Sequence, residues 1–293
     1  MAPEVIPSID SGGVGLQTTL FLQRASRALA LIVLATMPLL FGAVQAWVWS
    51  VYAVAMYAAF AIGILGRRES RRLSRLNGWW AAVVLFIAVT LMSCLPLTPG
   101  LLAWLSPVRT TLLSRVQEVS GMAPATWTVS YTPLYSLAWW SLLLGLVLFF
   151  RVLCVQFSSS GFLKTTLWLL LGVSVAEALY GILQALLPNL GVLWVTYMKS
   201  AMGDARGTYI NRNHFAGLME MMLPLLMGFG LSRVSWGGRL KVATLIRSER
   251  LHQHILMILG LVIMALALLF SKSRGGITGG LIGLLVFVWL LRG

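Results

Sequence analysis

The stretch HILMILGLVIMALALLFSKSRGGITGGLIGLLVFVWLLR, residues 254–292, decides the fold class. Its two apolar runs are each about twenty residues long, the length that crosses roughly 30 Å of hydrocarbon as a helix. The rest of the chain has the same character: 59% of its 293 residues are hydrophobic and 10% are charged, against about a quarter in soluble proteins. Because backbone polar groups in lipid must hydrogen-bond within their own segment, helices are expected. The sequence therefore predicts an all-α polytopic integral membrane protein.

We predict about eight transmembrane helices within a bundle at residues 28–292. Residues 1–27 are expected to form a cytoplasmic N-terminal tail. Residues 98–133 are expected to form an extracytoplasmic amphipathic loop, whose first half is either an interfacial helix on the outer leaflet or an irregular surface loop. The predicted spans are roughly 28–43, 46–66, 79–97, 134–152, 165–187, 212–232, 254–271 and 275–292.

The distribution of basic residues predicts the orientation. The net charge is +14, from 22 Lys and Arg against 8 Asp and Glu. With a cytoplasmic N-terminus most of the basic residues fall in cytoplasmic segments, above all in the loops GRRESRRLSR and 233–253, as the positive-inside rule expects. Membrane lipids are the expected partners of this charge, and nucleic acid is not, since no basic stripe is interleaved with exposed aromatics. The corners GDARGTYINRNH (203–214) and SKSRGG (271–276) then lie on the extracytoplasmic face.

Arg206 and Arg274 are the candidate functional residues of these two corners. Each comes immediately before a glycine, Gly207 or Gly275, at the outer end of an apolar helix. A guanidinium presents a planar fork of donors that matches two phosphate oxygens, and the neighbouring glycine lets backbone amides approach the same anion. The pair predicts a diphosphate clamp. The alternative is that both arginines anchor the helices at lipid head groups.

The helices after the two corners are expected to begin at about 212 and 275, so that their N-terminal dipoles favour negative charge at the same place. Asn211 or Asn213 is the expected cap of the first of these helices. His214 follows directly and is a candidate general base or a structural hydrogen-bonding residue.

Two carboxylates, Glu177 and Glu220, lie inside apolar spans. A charge there is costly by roughly 2.5–3.5 kcal/mol, so each is expected to face the bundle and to have a partner. Arg206 or Arg212 is the expected partner, and a packing role is as consistent with the pattern as a catalytic one. No cluster of histidine, cysteine and carboxylate has the spacing of metal ligands, so neither metal nor cofactor is expected.

The segment GGITGGLIG, residues 275–283, predicts a close-packing helix face and not a nucleotide loop. Gly275, Gly279 and Gly283 are four residues apart, and Gly276 and Gly280 lie on the neighbouring track.

Five strings in order carry a family resemblance: PLLFGAVQAW, LPLTPGLLAWLSP, EALYGILQ, RGTYINRNHFAG and SKSRGG. Together they resemble the bacterial O-antigen ligase and polysaccharide polymerase superfamily, over roughly residues 30–292. The resemblance implies a GT-C-like glycosyltransferase bundle in the bacterial inner membrane. It implies glycan transfer or polymerisation from a polyprenyl-diphosphate (undecaprenyl-type) donor to a hydroxyl acceptor on the periplasmic face, as in lipopolysaccharide synthesis.

The resemblance also assigns roles to residues. Arg206 and Arg274 match the family arginines that hold the diphosphate of the donor, with no metal. The implied donor-binding set is completed by neighbours in the two motifs, and Glu177, Glu220 and Lys272 are supporting residues. The neighbours are Gly207, Thr208, Asn211, Asn213 and Gly275.

The acceptor stays open among another glycan, a lipid A core and protein hydroxyls. Family members continue into a large periplasmic loop with a histidine important for transfer, whereas this sequence ends at Gly293. A second chain or a C-terminal segment is therefore an expected partner. Two alternatives from other classes are a transporter or flippase of lipid-linked glycan and a non-catalytic membrane subunit of a polysaccharide assembly complex.

Overall fold

The computed structural model describes residues 11–66, 78–193, 203–232 and 249–292, and these segments are helical with short connections. The helices, numbered along the described chain, are α1 Ser11–Thr36, α2 Ala46–Leu65, α3 Gly78–Met92, α4 Pro99–Leu105, α5 Pro107–Ser120, α6 Pro133–Gln156, α7 Ser160–Leu186, α8 Arg212–Leu231, α9 Glu249–Phe270 and α10 Arg274–Leu290. Short 3-10 turns lie at Phe41–Ala43 and Pro188–Leu190.

Six helices of the described segments are long and apolar enough to cross a membrane. They are α1 from Leu16, α2, α6, α7, α8 and α9 from His252. The chain is thus a helical, membrane-embedded protein. Two further predicted spans, α3 and α10, are apolar helices that are shorter than the other six. The charged loops at 67–77 and 233–248, from which the orientation is predicted, lie outside the described residues.

The first predicted span, 28–43, differs from the structure at both of its ends. Helix α1 begins at Ser11 and stops at Thr36, so it includes much of the segment that we expected to be a tail. Pro38 follows the helix end, and proline cannot donate the next backbone hydrogen bond. Gly42 then has a φ of +60°, and the ring of Tyr209 occupies the place where a Cβ would lie. The turn between α1 and α2 is therefore closed by proline and glycine.

One compact unit comprises the described residues of Met1–Ser26 and Ala53–Val155. Its helices are joined by side-chain bonds to backbone, such as Tyr57 Oη donating to the Ser141 carbonyl at 2.6 Å and Trp140 Nε1 donating to the Ile87 carbonyl at 2.9 Å. The unit contains α4 and α5, two short helices in the segment where an interfacial helix was one of our two expectations. Whether they lie on a leaflet stays a prediction.

The second unit comprises the described residues of Arg27–Tyr52 and Gln156–Gly293, and it contains both arginine corners. Helices α7, α8 and α9 pack against one another, and α10 packs chiefly on α8. Their common core is apolar and is centred on fully buried side chains, among them Phe215, Met219 and Met264. Such burial of apolar side chains in close contact fixes the helix ends with respect to one another.

The glycine face of α10 packs tightly, as expected, through some glycines of each track. A Cβ at Gly276 would lie 2.5 Å from the Cβ of Ala216, and one at Gly279 would lie 2.5 Å from Oε2 of Glu220. At Gly275 and Gly283 a Cβ would have no neighbour within 4 Å. Close approach of α10 to α8 therefore requires Gly276, and Gly279 leaves room for the Glu220 carboxylate, whereas Gly275 and Gly283 are on the open side.

Candidate functional site

The segment 203–211 leads into α8 and, with the first turn of that helix to residue 214, forms the first corner. It is tied to the end of α9, where the backbone amide of Ala205 donates to the carbonyl of Phe270 at 2.9 Å. Asn211 is the N-cap of α8, and its side chain accepts from the amide of Asn213 at 2.9 Å. The expected cap is therefore confirmed, with Asn211 as the capping residue.

A buried glutamine of α7, Gln184, holds the backbone around Arg206. Its Nε2 donates to the carbonyls of Gly191 and Gly207, at 2.6 and 2.8 Å. Its Oε1 accepts from the amide of Arg206 at 3.1 Å. The amide group thus makes three hydrogen bonds to the backbone, at a position with no solvent exposure, and fixes where the Arg206 side chain begins.

Glu177 holds the next residues of the corner from the same face of α7, two turns earlier. Its Oε2 accepts from the amide of Thr208, and its Oε1 lies 2.9 Å from the Thr208 hydroxyl. That hydroxyl is also 3.0 Å from the carbonyl of Pro38, so it can donate to either oxygen. The partner of this buried carboxylate is therefore Thr208, where we had expected an arginine.

Gly207 allows the close approach between the corner and α7. Its φ is +59°, a conformation that L side chains rarely adopt, and a Cβ would collide with Oε2 of Glu177. The glycine beside Arg206 is thus required by packing against Glu177. Burial first, and then the nearby charge of Glu177, raises the pKa of Tyr209 above its ordinary value, so this phenol is neutral at neutral pH.

Asp204 joins two arginines of the corner. Arg206 donates from Nε and Nη2 to its two carboxylate oxygens, at 3.1 and 3.2 Å, and Arg212 donates from Nη1 at 3.0 Å. Arg206 also donates from Nη1 to the carbonyl of Ile210 at 3.2 Å. The planar fork of Arg206 is therefore matched to a carboxylate of the protein itself.

The two arginines keep Asp204 ionised. Its side chain is only 2% exposed, and burial alone would raise its pKa. The hydrogen bonds and charge of Arg206, and then those of Arg212, outweigh burial and hold the pKa of this carboxyl below its usual range. Two guanidinium groups around one carboxylate leave the cluster with an excess of positive charge.

A cleft of about 390 Å³ opens beside this cluster. It is lined by Asp204, Arg206, Ile210, Asn211 and Arg212. Because the cleft lies at the N-terminus of α8, the helix dipole adds to the positive potential of the arginines. The arrangement of charges favours an anion.

The second corner, 271–276, is hydrogen-bonded to the first. Ser273 caps α10, its Oγ accepting from the amide of Gly276 at 3.2 Å and donating to Oδ1 of Asn213 at 2.9 Å. Arg274 is the first residue of α10 and is exposed. Lys272 is exposed as well and has a φ of 53°. The structure thus brings the two arginine corners to the same end of the helix bundle.

The other predicted residues occupy different places. His214 is exposed in the first turn of α8, with its backbone amide donating to the carbonyl of Asn211 at 3.1 Å. Glu220 lies two turns further along α8, packed against Gly279 of α10. Gly275 is exposed beside Arg274. Among the described residues no group of three or more His, Cys, Asp and Glu could hold a metal ion.

Sequence reasoning missed two residues of this site, Asp204 and Gln184. It also missed that Arg212 donates to Asp204. Asp204 is two residues before Arg206, a spacing that could have suggested a local ion pair. Gln184 is a polar residue seven positions after Glu177 on an apolar helix, which could have suggested a second buried anchor on the same face.

In comparisons with protein-family models, curated proteins and solved structures, nothing matches this chain. A function is therefore proposed from the motifs and the geometry of the site.

Proposed function

We propose that this protein transfers glycan from a polyprenyl-diphosphate-linked donor to a hydroxyl acceptor. The site would lie on the periplasmic face of a bacterial inner membrane, in a multi-pass protein with a cytoplasmic N-terminus. One observation carries the proposal: a cleft lined by Arg206 and Arg212 opens at the capped start of α8, close to the corner that bears Arg274. A hydrogen bond from Ser273 to Asn213 joins the two corners.

The chemistry of the donor explains why such a site is useful. Its leaving group is a diphosphate that gains negative charge as the bond from the anomeric carbon to its oxygen breaks. Arginines and helix N-termini placed at that oxygen stabilise the developing charge, the electrostatic role that a metal ion has in other enzymes. Arg274, exposed at the start of α10, would be the contribution of the second corner.

The proposed reaction forms one bond, breaks one bond and moves one proton. The acceptor hydroxyl forms a new bond to the anomeric carbon, and the carrier diphosphate departs with the electron pair of the bond that breaks. The hydroxyl proton passes to a base. His214 is the candidate of this chain, because it is exposed at the same end of α8 as the cleft.

The experiment is a glycan-transfer assay in membranes that contain lipid-linked donor, with Arg206→Ala, Arg274→Ala and wild type at matched expression. Arg292→Ala is the matched control, because Arg292 is an exposed arginine at the opposite end of α10. We expect each of the first two changes to lower transfer by roughly 100-fold or more, because each removes a positive charge from the corners that stabilise or hold the stabilising groups for the leaving diphosphate, while the lipid-linked donor accumulates.

Normal transfer by both variants would refute the proposed site. Movement of donor across the membrane without any transfer by wild-type protein would refute the enzyme and favour a flippase.

A further inference from the structure

The two arginines of the cleft differ in how much of each is accessible. The Arg206 side chain is 11% exposed and that of Arg212 is 44% exposed. Arg206 donates from all three of its nitrogens, to Asp204 and to the carbonyl of Ile210. Arg212 donates from Nη1 to Asp204 and otherwise faces the cleft that it lines.

Releasing Arg206 for a ligand would break the buried part of the cluster. Asp204 would lose both hydrogen bonds of the fork, and the Ile210 carbonyl would lose its guanidinium donor. A buried carboxylate that loses one of its two arginine partners, and with it two of three hydrogen bonds, is strongly destabilised. Arg212 has no such constraint, because an exposed guanidinium can keep one bond to Asp204 and present its remaining N–H groups to an anion.

We infer that Arg212 is the arginine that contacts the diphosphate in this cleft, and that Arg206 is a positioning residue that acts through Asp204 on Arg212. This assignment rests on the proposed function for the identity of its ligand. In it, Arg206 and the hydrogen bonds of Gln184 hold Asp204, and Asp204 holds the guanidinium of Arg212 at the mouth of the cleft.

The test is binding of inorganic pyrophosphate to the full chain in nanodiscs of zwitterionic lipid, measured by calorimetry. We expect Arg212→Ala and Arg212→Gln to weaken binding at least tenfold, the effect of losing a charge-assisted hydrogen bond. Asp204 keeps both bonds of the Arg206 fork in these variants, so we expect them to fold, and thermal unfolding checks that each is folded before binding is compared. Arg292→Ala is the control. A loss smaller than tenfold in both Arg212 variants, or no pyrophosphate binding by the wild type, would overturn the assignment.

A double-mutant cycle tests the positioning role of Arg206. Arg206→Lys keeps the charge but cannot form the fork, so we expect it to weaken pyrophosphate binding severalfold in the wild-type background. In the Arg212→Ala background the same change should have less than a twofold effect, because the residue through which it acts is gone. An equal loss in both backgrounds would mean that Arg206 touches the anion itself, and no loss in the wild-type background would mean that it has no part in binding. Either result overturns the role.

A second arm separates a diphosphate ligand from the phosphate of ordinary lipid. The titration is repeated in the same zwitterionic nanodiscs with glycerol 3-phosphate, the soluble head of a simple phospholipid, as competitor, because an anionic bilayer would itself repel pyrophosphate. Unchanged pyrophosphate affinity supports the assignment, whereas a tenfold weakening would identify lipid head groups as the occupants and overturn it. If pyrophosphate binds through Arg212 but no glycan is transferred, the proposed function fails and the assignment of Arg212 stands. If transfer depends on Arg206 and Arg274 but pyrophosphate binding is unchanged in the Arg212 variants, the assignment of Arg212 fails and the proposed function stands.

Discussion

The Arg206 corner and the Arg274 corner carry the same arginine–glycine motif but are built in opposite ways. Arg206 follows a buried aspartate, and the backbone of its corner requires glycine and is held by two polar side chains of α7, Gln184 at Arg206 and Glu177 at Thr208. Arg274 is exposed on the first turn of a helix, and a Cβ at the glycine after it would have no neighbour within 4 Å. The same motif can therefore form two kinds of corner. In the preorganised corner the arginine is hydrogen-bonded to a carboxylate of the protein, and in the open corner the arginine is exposed.

The largest contrast is expected between alanine substitutions of the two glycines. Gly207→Ala forces an alanine into a positive φ and against Glu177, so we expect a loss of roughly 3–5 kcal/mol of stability. Gly275→Ala, in the first turn of a helix with open space around it, should be neutral or stabilising by up to about 1 kcal/mol. Thermal unfolding of the purified variants measures both. Equal effects at the two positions would contradict the contrast between the corners.

The next effect concerns the buried anchor Gln184. Gln184→Met keeps the length of the side chain but removes three hydrogen bonds to buried backbone, so we expect a loss of about 2–4 kcal/mol. Gln117→Met is the control, since Gln117 is exposed on α5. Thermal unfolding again provides the measurement. A Gln184 variant as stable as the control would show that the corner does not depend on α7.

A pH effect should distinguish the preorganised corner. The folded-state pKa of Asp204 lies below its usual range, so its contribution to stability is present above the ordinary aspartate pKa of about 3.9 and is lost as the pH falls through the lowered folded value. Asp204→Asn cannot titrate. We therefore expect the Tm advantage of the wild type over Asp204→Asn to be constant from pH 7 to 5 and to shrink below about pH 4. A constant advantage down to the lowest pH at which the protein folds would be the opposite result.

The smallest effect is expected at the cap of the open corner. Ser273→Ala removes the N-cap of α10 and the bond to Asn213, so it should lower stability by about 1 kcal/mol. Ser273→Thr, which can cap a helix, is the matched control. Thermal unfolding of the two variants checks this, and a loss as large as that of Gly207→Ala would mean that the open corner is as rigid as the other.

Hydropathy and cap chemistry predicted much of the fold. Most apolar runs are helices close to the predicted bounds, and Asn211 caps α8 as expected. The first helix was misjudged because residues 11–27 are only mildly apolar, although they continue the helix into the apolar run. The glycine face of α10 was recognised, but which of its glycines contact α8 depends on the rotation of α10 against α8, which a single sequence does not define.

Sequence also indicated the arginines of the site without indicating their partners. The burial of Asp204 beside two arginines depends on how the segment 203–211 folds against the bundle, and the role of Gln184 depends on which segment packs against α7. Both are consequences of tertiary contacts. A polar residue in an apolar helix indicates that a partner exists, but its identity follows only from the packed structure.

The most direct measurement is a cryo-EM structure of the protein in nanodiscs with a polyprenyl diphosphate bound. We predict diphosphate density in the cleft, within hydrogen-bond distance of Arg212, with the fork between Arg206 and Asp204 intact. Density at another place on the bundle, or an Arg206 that has left Asp204 to bind the phosphates, would contradict this account.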